Sequence, residues 1–216
     1  MNFVVLCDFD GTITRIDTAE FVLSKFAQGN WRFFSDQFEK GEITLEDCLK
    51  KQFALVKVLK KEILNELDNI VTFRPNFEKL AKYCKQNLIP LTVVSAGLDF
   101  VIKYFLKLNN WQNLVETYTA KTKWTAKSAK LDFPKPFDKA SANFKHDLVK
   151  QCRNQGKKVI YIGDGSGDYA AAKDADYLFV IKGSRLEELC ENHGVHHRSM
   201  TDFLEVVTVI MQNSVT

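Results

Sequence analysis

Proline and glycine are sparse in this chain, four and ten among 216 residues, which excludes collagen-like and linker-dominated architectures. Apolar runs are short, and none approaches the roughly 18 residues that a membrane-spanning helix needs. The opening residues Met1-Asn2-Phe3-Val4-Val5-Leu6-Cys7-Asp8 lack the basic segment of a secretory signal. Cysteine occurs five times (Cys7, Cys48, Cys84, Cys152, Cys190), odd in number, scattered and without CxxC spacing. Neither a zinc site nor a disulfide framework is expected, and the thiols read as reduced in a cytoplasmic protein. An excess of one charge sign is also nearly missing. Thirty basic against 27 acidic residues leave +3, too little to imply a nucleic-acid partner by itself.

What is present suits a sizeable core: 45% hydrophobic and 26% charged residues, with no repeat and no low-complexity tract. Phe3 to Leu6 is a short, unbroken apolar run stopped by acids. That pattern predicts a strand buried on both faces, and it recurs at Ile89 to Ser95, Lys158 to Ile162 and Tyr177 to Ile181. Helical stripes lie between these runs: Phe77, Leu80, Ala81 and Cys84, then Phe100 to Leu108, then Leu148, Val149 and Cys152 in a helix expected over Ser141–Cys152. Leu186 with Leu189, and Phe203 to Met211, suggest two more. Such alternation predicts an α/β, doubly wound, Rossmann-like parallel sheet.

Residues 17–73 break the rhythm. They carry no strand-like run, only helical periodicity, with Thr44 as an expected N-cap and Gly29 and Gly41 as breaks. This divides the chain into a core of 1–16 and 74–216 and a small helical cap of 17–73, inserted after the first strand. Val115 to Pro136, alternating Thr, Tyr, Trp and Lys, suggests strands or a hairpin.

Two acidic motifs end strands. Asp8-Phe9-Asp10-Gly11-Thr12 follows the first, and Gly163-Asp164-Gly165-Ser166-Gly167-Asp168 follows Lys158 to Ile162. Each could be only a turn. Together they would bring like charges to the sheet edge where open α/β folds bind ligands, and such carboxylates repel unless a cation or a proton intervenes. An all-oxygen set of this kind suits Mg²⁺. The glycine-rich stretch lacks the G-x-G-x-x-G spacing of a dinucleotide site. Ser95, ending a strand before Ala96 and Gly97, could cradle phosphate or simply cap a helix. Lys145, taken alone, reads as one solvated lysine among many.

Taken in order, these four signals resemble the haloacid dehalogenase-like hydrolase superfamily. Asp8-x-Asp10-Gly11-Thr12 matches its first motif, Ser95 its second, Lys145 its third and Gly163-Asp164-Gly165-x-x-Asp168 its fourth. The likeness covers nearly the whole chain, and the helical insert is similar to the family's small cap. It points to the branch holding phosphoserine phosphatases and the methionine-salvage phosphatases of 2-hydroxy-3-keto-5-methylthiopentenyl 1-phosphate. Departures from the phosphoserine pattern lean towards the latter: Asp17 where a Glu is usual, Gly167-Asp168 for Asn-Asp, and Ser95-Ala96-Gly97 for Ser-Gly-Gly. Ala142-Asn143-Phe144, however, lacks a cysteine-rich pattern expected of the methionine-salvage group.

The resemblance implies a Mg²⁺-dependent phosphatase acting on a small phosphorylated metabolite, as monomer or homodimer, away from membranes. Asp8 would be the nucleophile, Asp10 the acid and base, and Lys145 a charge partner for the transferring oxygens. The metal would sit at Asp8, Asp10 (through its backbone carbonyl) and Asp164, with Asp168 bracing it through water or Lys145. Ser95, Ala96, Gly97 and Lys145 would bind the phosphoryl group and Asp17 the rest of the substrate. Arg32 is a second lid-side candidate, which plain surface pairing would also explain. Two rivals remain open on the residues. A phosphotransferase would use the same fold. A nucleic-acid binder would use the basic stretch Lys121, Lys123, Trp124, Lys127 and Lys130. The histidines (His146, His193, His196, His197) read as surface residues.

Overall fold

The computed structural model describes residues 2–125 and 128–214. Its strands are β1 Phe3–Cys7, β2 Leu91–Ser95, β3 Glu116–Thr119, β4 Lys121–Thr125, β5 Ser128–Asp132, β6 Lys158–Gly163, β7 Tyr177–Ile181 and β8 Arg198–Met200. The helices are α1 Thr18–Phe26, α2 Arg32–Glu39, α3 Leu45–Phe53, α4 Lys60–Asp68, α5 Phe77–Gln86, α6 Asp99–Leu108, α7 Phe144–Asn154, α8 Tyr169–Asp174, α9 Arg185–Asn192 and α10 Leu204–Ser214. Six strands form one sheet in the order β3-β2-β1-β6-β7-β8, and every pairing in it is parallel.

The unbroken apolar run of β1 does what its composition requires. All five residues are buried, with Phe3, Val5 and Cys7 in the core on one face and Val4 and Leu6 in the core on the other. From β1 the chain builds outward through β2 to β3, then returns and builds the other way through β6, β7 and β8. The reversal lies between β1 and β6, where Cys7 pairs with Ile162, so the next residue, Asp8, emerges at the crevice such a switch point creates.

The sheet has two strands more than the apolar runs predict. β3 (Glu-Thr-Tyr-Thr) contains no fully buried residue, and β8 has three residues at an edge, so neither carries the hydrophobic signature. The expected hairpin is present as antiparallel β4–β5. Of the basic stretch, Lys121, Lys123 and Lys130 are exposed, and Lys127 lies outside the described residues. Trp124 faces inward: its indole N–H donates to the Val58 carbonyl at 2.7 Å, and its ring packs edge-on against Phe53 and Phe100. The aromatic that strand binding would need is thus committed to the protein's own packing.

Within 17–73, α1, α3 and α4 match the periodic stripes, and Thr44 accepts from the Asp47 N–H as the N-cap of α3. The short α2 buries no residue completely and so leaves no stripe to read. α7 begins at Phe144 rather than Ser141. Asn143 caps it by accepting from the His146 N–H, while the Ser141 hydroxyl turns to Asp147. His146 is half-buried, not a plain surface residue; its ring bridges the Ala142 N–H and the Asp174 carboxylate. All five cysteines are buried free thiols. No helix of the described residues is long and apolar enough to cross a membrane.

Candidate active site

The loop after β1 is fixed before any side chain acts. The Asp8 N–H donates to the Ile162 carbonyl at 2.9 Å, which continues the β1–β6 ladder by one bond. Gly11 has φ +71°, and a Cβ there would stand 2.1 Å from Oδ2 of Asp164, so a side chain would displace that carboxylate. Thr12 donates its hydroxyl to Oδ1 of Asp164 at 2.7 Å. Arg74, just past the insert, donates Nε to the Thr12 carbonyl and Nη2 to the Gly11 carbonyl, each at 2.9 Å. The chain re-entering the core therefore clamps the loop from which it left.

Lys145 is 3% exposed, which overturns its reading as a solvated lysine. Its Nζ lies 2.6 Å from Oδ1 of Asp168 and 2.9 Å from Oδ2 of Asp8. Burial alone would lower the lysine's pKa. The two carboxylates outweigh it and hold the group above its usual range, so it is an ammonium. Asp168 also accepts from the Tyr161 hydroxyl at 2.6 Å and from the N–H groups of Asp164 and Gly165 at 3.2 and 3.0 Å. Burial pushes its carboxyl up, but Lys145 and these bonds win and keep it below the ordinary range.

Asp8 and Asp164 are in the opposite condition. Burial, then the charge of Asp168, pushes the Asp8 carboxyl well up, and the same causes raise Asp164 to about 8. Oxygens of Asp8, Asp164 and Asp168 lie within 4.8 Å of one another. Ionised, they would carry three negative charges against one ammonium. The donors are all oxygen, so a hard divalent cation such as Mg²⁺ fits the chemistry of the set. Asp168 has both oxygens taken up by four donors, which suits bracing rather than direct ligation. Asp8 and Asp164 keep acceptor capacity.

Asp10 faces another way. One carboxylate oxygen accepts from the Thr18 N–H and hydroxyl, the other from the Ser95 hydroxyl at 3.2 Å. Its side chain is therefore engaged apart from the three-carboxylate group. Burial raises its pKa against the opposing hydrogen bonds from Thr18 and Ser95. Ser95 is not a helix cap, since Leu98 holds that position for α6; its Oγ instead accepts from the Gly97 N–H at 3.0 Å. At Gly97 a Cβ would fall 2.1 Å from Oδ2 of Asp10, so this approach also needs glycine.

Asp17 caps α1, accepting from the Glu20 N–H at 2.7 Å. Its side chain is exposed on the cleft, crowded by neighbouring protein atoms. That desolvation, then the charge of Asp10, brings its carboxyl to about 7. A cleft of about 550 Å³ joins the sheet edge to the insert, and all nine residues singled out from the sequence line it, Ala96 among them. Arg32 lines it too. It stacks 4.3 Å over the Trp31 ring, 3.8 Å from Glu20, with its side chain largely exposed.

Sequence reasoning missed Thr18, Tyr161, Arg74 and Asn143. Tyr161 looked like one more apolar strand residue, and Asn143, which donates to the Gly167 carbonyl at 2.9 Å, looked like a loop residue. Only the position of Thr18 after Asp17, at a helix start, offered a signal.

The sequence profile of haloacid dehalogenase-like hydrolases matches residues 5–173. The chain belongs to the haloacid dehalogenase-like hydrolase family, and it is an enzyme. It is 28% identical over 216 residues to a 2-hydroxy-3-keto-5-methylthiopentenyl-1-phosphate phosphatase of Brevibacillus brevis, covering 98% of this chain and 96% of that one. The protein of that name from Geobacillus kaustophilus is 27% identical over 222 residues, covering 99% and 98%. Among solved structures, a substrate-bound phosphoserine phosphatase complex superimposes with TM-score 0.69 at 15% identity, covering 97% of this chain and 98% of that one. At that identity the likeness speaks for the fold alone.

Proposed function

We propose that this enzyme is a Mg²⁺-dependent phosphatase that cleaves a small phosphomonoester through an aspartyl-phosphate, with a methionine-salvage-type substrate favoured over phosphoserine. That the chain is a phosphoric monoester hydrolase accords with its family and with relatives named as phosphatases along their whole length. The observation that carries the mechanism is Asp8: a buried carboxylate at the switch point, touching Lys145 and beside Asp164. The ion would be held by Asp8, the Asp10 carbonyl and Asp164, and would supply charge compensation for attack on a phosphate dianion.

Asp8 attacks phosphorus, the ester oxygen leaves, and water later cleaves the acyl phosphate. Lys145 neutralises charge on the transferring oxygens, and the Ser95-Ala96-Gly97 turn holds them in line. Asp10, with its raised pKa, gives its proton to the leaving alkoxide and then takes one from the attacking water. Asp10→Asn should therefore slow alkyl phosphates at least about tenfold more than p-nitrophenyl phosphate, whose leaving group needs no proton. Equal losses on both would remove this role.

The substrate assignment follows the relatives' names and is supported by the lid-side wall of the cleft, where Leu23, Trp31, Leu45 and Leu49 offer apolar surface. We take 17–73 as a cap that roofs this cleft, excluding water and bulky polymers. Phosphate release from a panel holding 2-hydroxy-3-keto-5-methylthiopentenyl 1-phosphate, phosphoserine and aryl phosphates tests the reading. Release without any added acceptor separates hydrolysis from phosphotransfer, and faster turnover of phosphoserine would reverse the preference. Asp17→Asn belongs in the same assay. Asparagine keeps the α1 cap, so stability should hold within about 0.5 kcal/mol while the ranking of substrates shifts. An unchanged ranking would leave Asp17 as a cap alone.

A further inference from the structure

Gln52, on α3, is 3% exposed and lines the cleft from the lid side. Its Nε2 donates to the Trp31 carbonyl at 3.3 Å and to the Ser35 hydroxyl at 2.8 Å. The Trp31 carbonyl can only accept, so it fixes which end of the amide is nitrogen. Its Oε1 is thereby aimed the other way. No described residue donates to that oxygen, which keeps some accessible surface, and Gln52 forms part of the cleft wall.

An amide oxygen held on a largely buried side chain without a protein donor is costly unless water or a ligand supplies one. Water can do so in the free enzyme, and a substrate that displaces the water must replace its bond. The surroundings select the kind of donor. Leu23, Trp31, Leu45 and Cys48 are the buried apolar residues of the lid-side wall, whose charged members Glu20, Arg32, Asp36 and Glu39 are exposed, and a neutral amide oxygen would not by itself offset the desolvation of an ammonium. A hydroxyl brings one proton and little desolvation. Ser35 Oγ, which accepts from Gln52, keeps its own proton free and can donate back to that hydroxyl's oxygen.

We infer that Gln52 is a specificity-determining residue, whose Oε1 accepts a hydrogen bond from a hydroxyl on the otherwise apolar organic part of the phosphomonoester. The inference rests on the phosphatase reading and deepens it: it states what the lid side of the cleft recognises, and through which atom.

The test is a matched pair of substrates, butyl phosphate and 2-hydroxybutyl phosphate, compared by kcat/KM with Mg²⁺ present. Wild type should favour the hydroxylated ester at least about tenfold, because a site built around a hydrogen bond rejects the analogue lacking it. Gln52→Met, similar in length but without an acceptor, should bring the ratio close to one, chiefly through KM of the hydroxylated ester. Ser35→Ala, which loosens the amide without removing it, should lower the ratio part of the way. A wild-type ratio near one overturns the inference whether or not either variant folds, and so does a ratio that survives in Gln52→Met. No release from p-nitrophenyl phosphate by wild type would instead overturn the phosphatase reading, and this inference with it.

Discussion

Asp8→Asn should abolish turnover of p-nitrophenyl phosphate, with kcat falling by about 10³-fold or more, as expected when a covalent nucleophile is removed. The folded state should survive the change. Asparagine is nearly isosteric and can still accept from the Phe9 N–H, which bonds Oδ1 at 2.7 Å. The charge it removes is one the fold resists, since burial and Asp168 push the Asp8 carboxyl well above its ordinary range. The sign follows from that direction. A carboxyl with a raised folded pKa favours folding fully below its unfolded value and loses that contribution as pH rises through the folded one. Asp8→Asn carries no such loss, so its stability relative to wild type should improve as pH climbs from the ordinary carboxylate range towards neutrality. Mg²⁺ should raise Tm less in the variant, because one ligand is gone. Activity within tenfold of wild type in a folded variant would sink the covalent mechanism, and parallel melting profiles across pH would sink the electrostatic account.

That prediction joins two features of different legibility. Asp8 and Asp164 could be singled out from sequence because each follows a fully apolar run, and the end of a buried parallel strand is where a ligand-binding lip must be. Lys145 could not be singled out by composition. Only its order among the other motifs separated it from many lysines, and only the structure shows it buried between Asp8 and Asp168. Tyr161 is the clearest miss. Its ring lies fully buried in the sheet while its hydroxyl bonds Asp168, and strand periodicity reads the ring but not the hydroxyl. Arg74 was illegible for another reason: it acts on the β1 loop from beyond the insert, a contact that exists only once the chain has folded back. β3, which falls within the stretch Val115 to Pro136 expected to form strands or a hairpin, and β8, which no sequence signal marked, lie at the two edges of the sheet, where one side is unpaired and an apolar run is not required.

The segment 17–73, which we take as a cap, is bound to the core more closely than an independent flap would be. The Glu46 carboxylate on α3 accepts from the Phe144 N–H at 2.8 Å, the first amide of the helix that carries Lys145. Glu39 on α2 lies 3.4 Å from Arg185 across the cleft mouth. On the far side, Trp124 bonds Val58 and the Tyr104 hydroxyl donates to Asp68 at 2.6 Å. Contacts on the cleft side combine these polar bonds with apolar packing, since Leu45 is buried in the cluster that holds Val94 and Phe144, while those on the far side include aromatic packing. Glu46 ties the position of α3 to the start of the helix that holds Lys145.

Lys145→Met should then produce the largest combined effect on stability and activity. The ammonium is nearly fully buried and faces Asp8 at 2.9 Å and Asp168 at 2.6 Å, so removing it strands two buried carboxylates. Breaking a buried ion pair on one side costs about 3–5 kcal/mol, which for a domain of this size lowers Tm on the order of 10 °C. High salt should recover little of this, since buried charges are poorly screened. Mg²⁺ should recover more, and its shift in Tm should exceed that in wild type, because a cation beside Asp8 and Asp164 replaces part of the missing charge. Turnover should nevertheless stay about 10²–10³-fold down at saturating Mg²⁺, since a thioether cannot donate to the transferring oxygens. The two readouts separate the roles: Tm recovery without rate recovery means that Lys145 acts on the phosphoryl group as well as on its neighbours. Full recovery of rate by Mg²⁺ would reduce Lys145 to a counter-ion, and an unchanged Tm without the metal would contradict the buried triad itself.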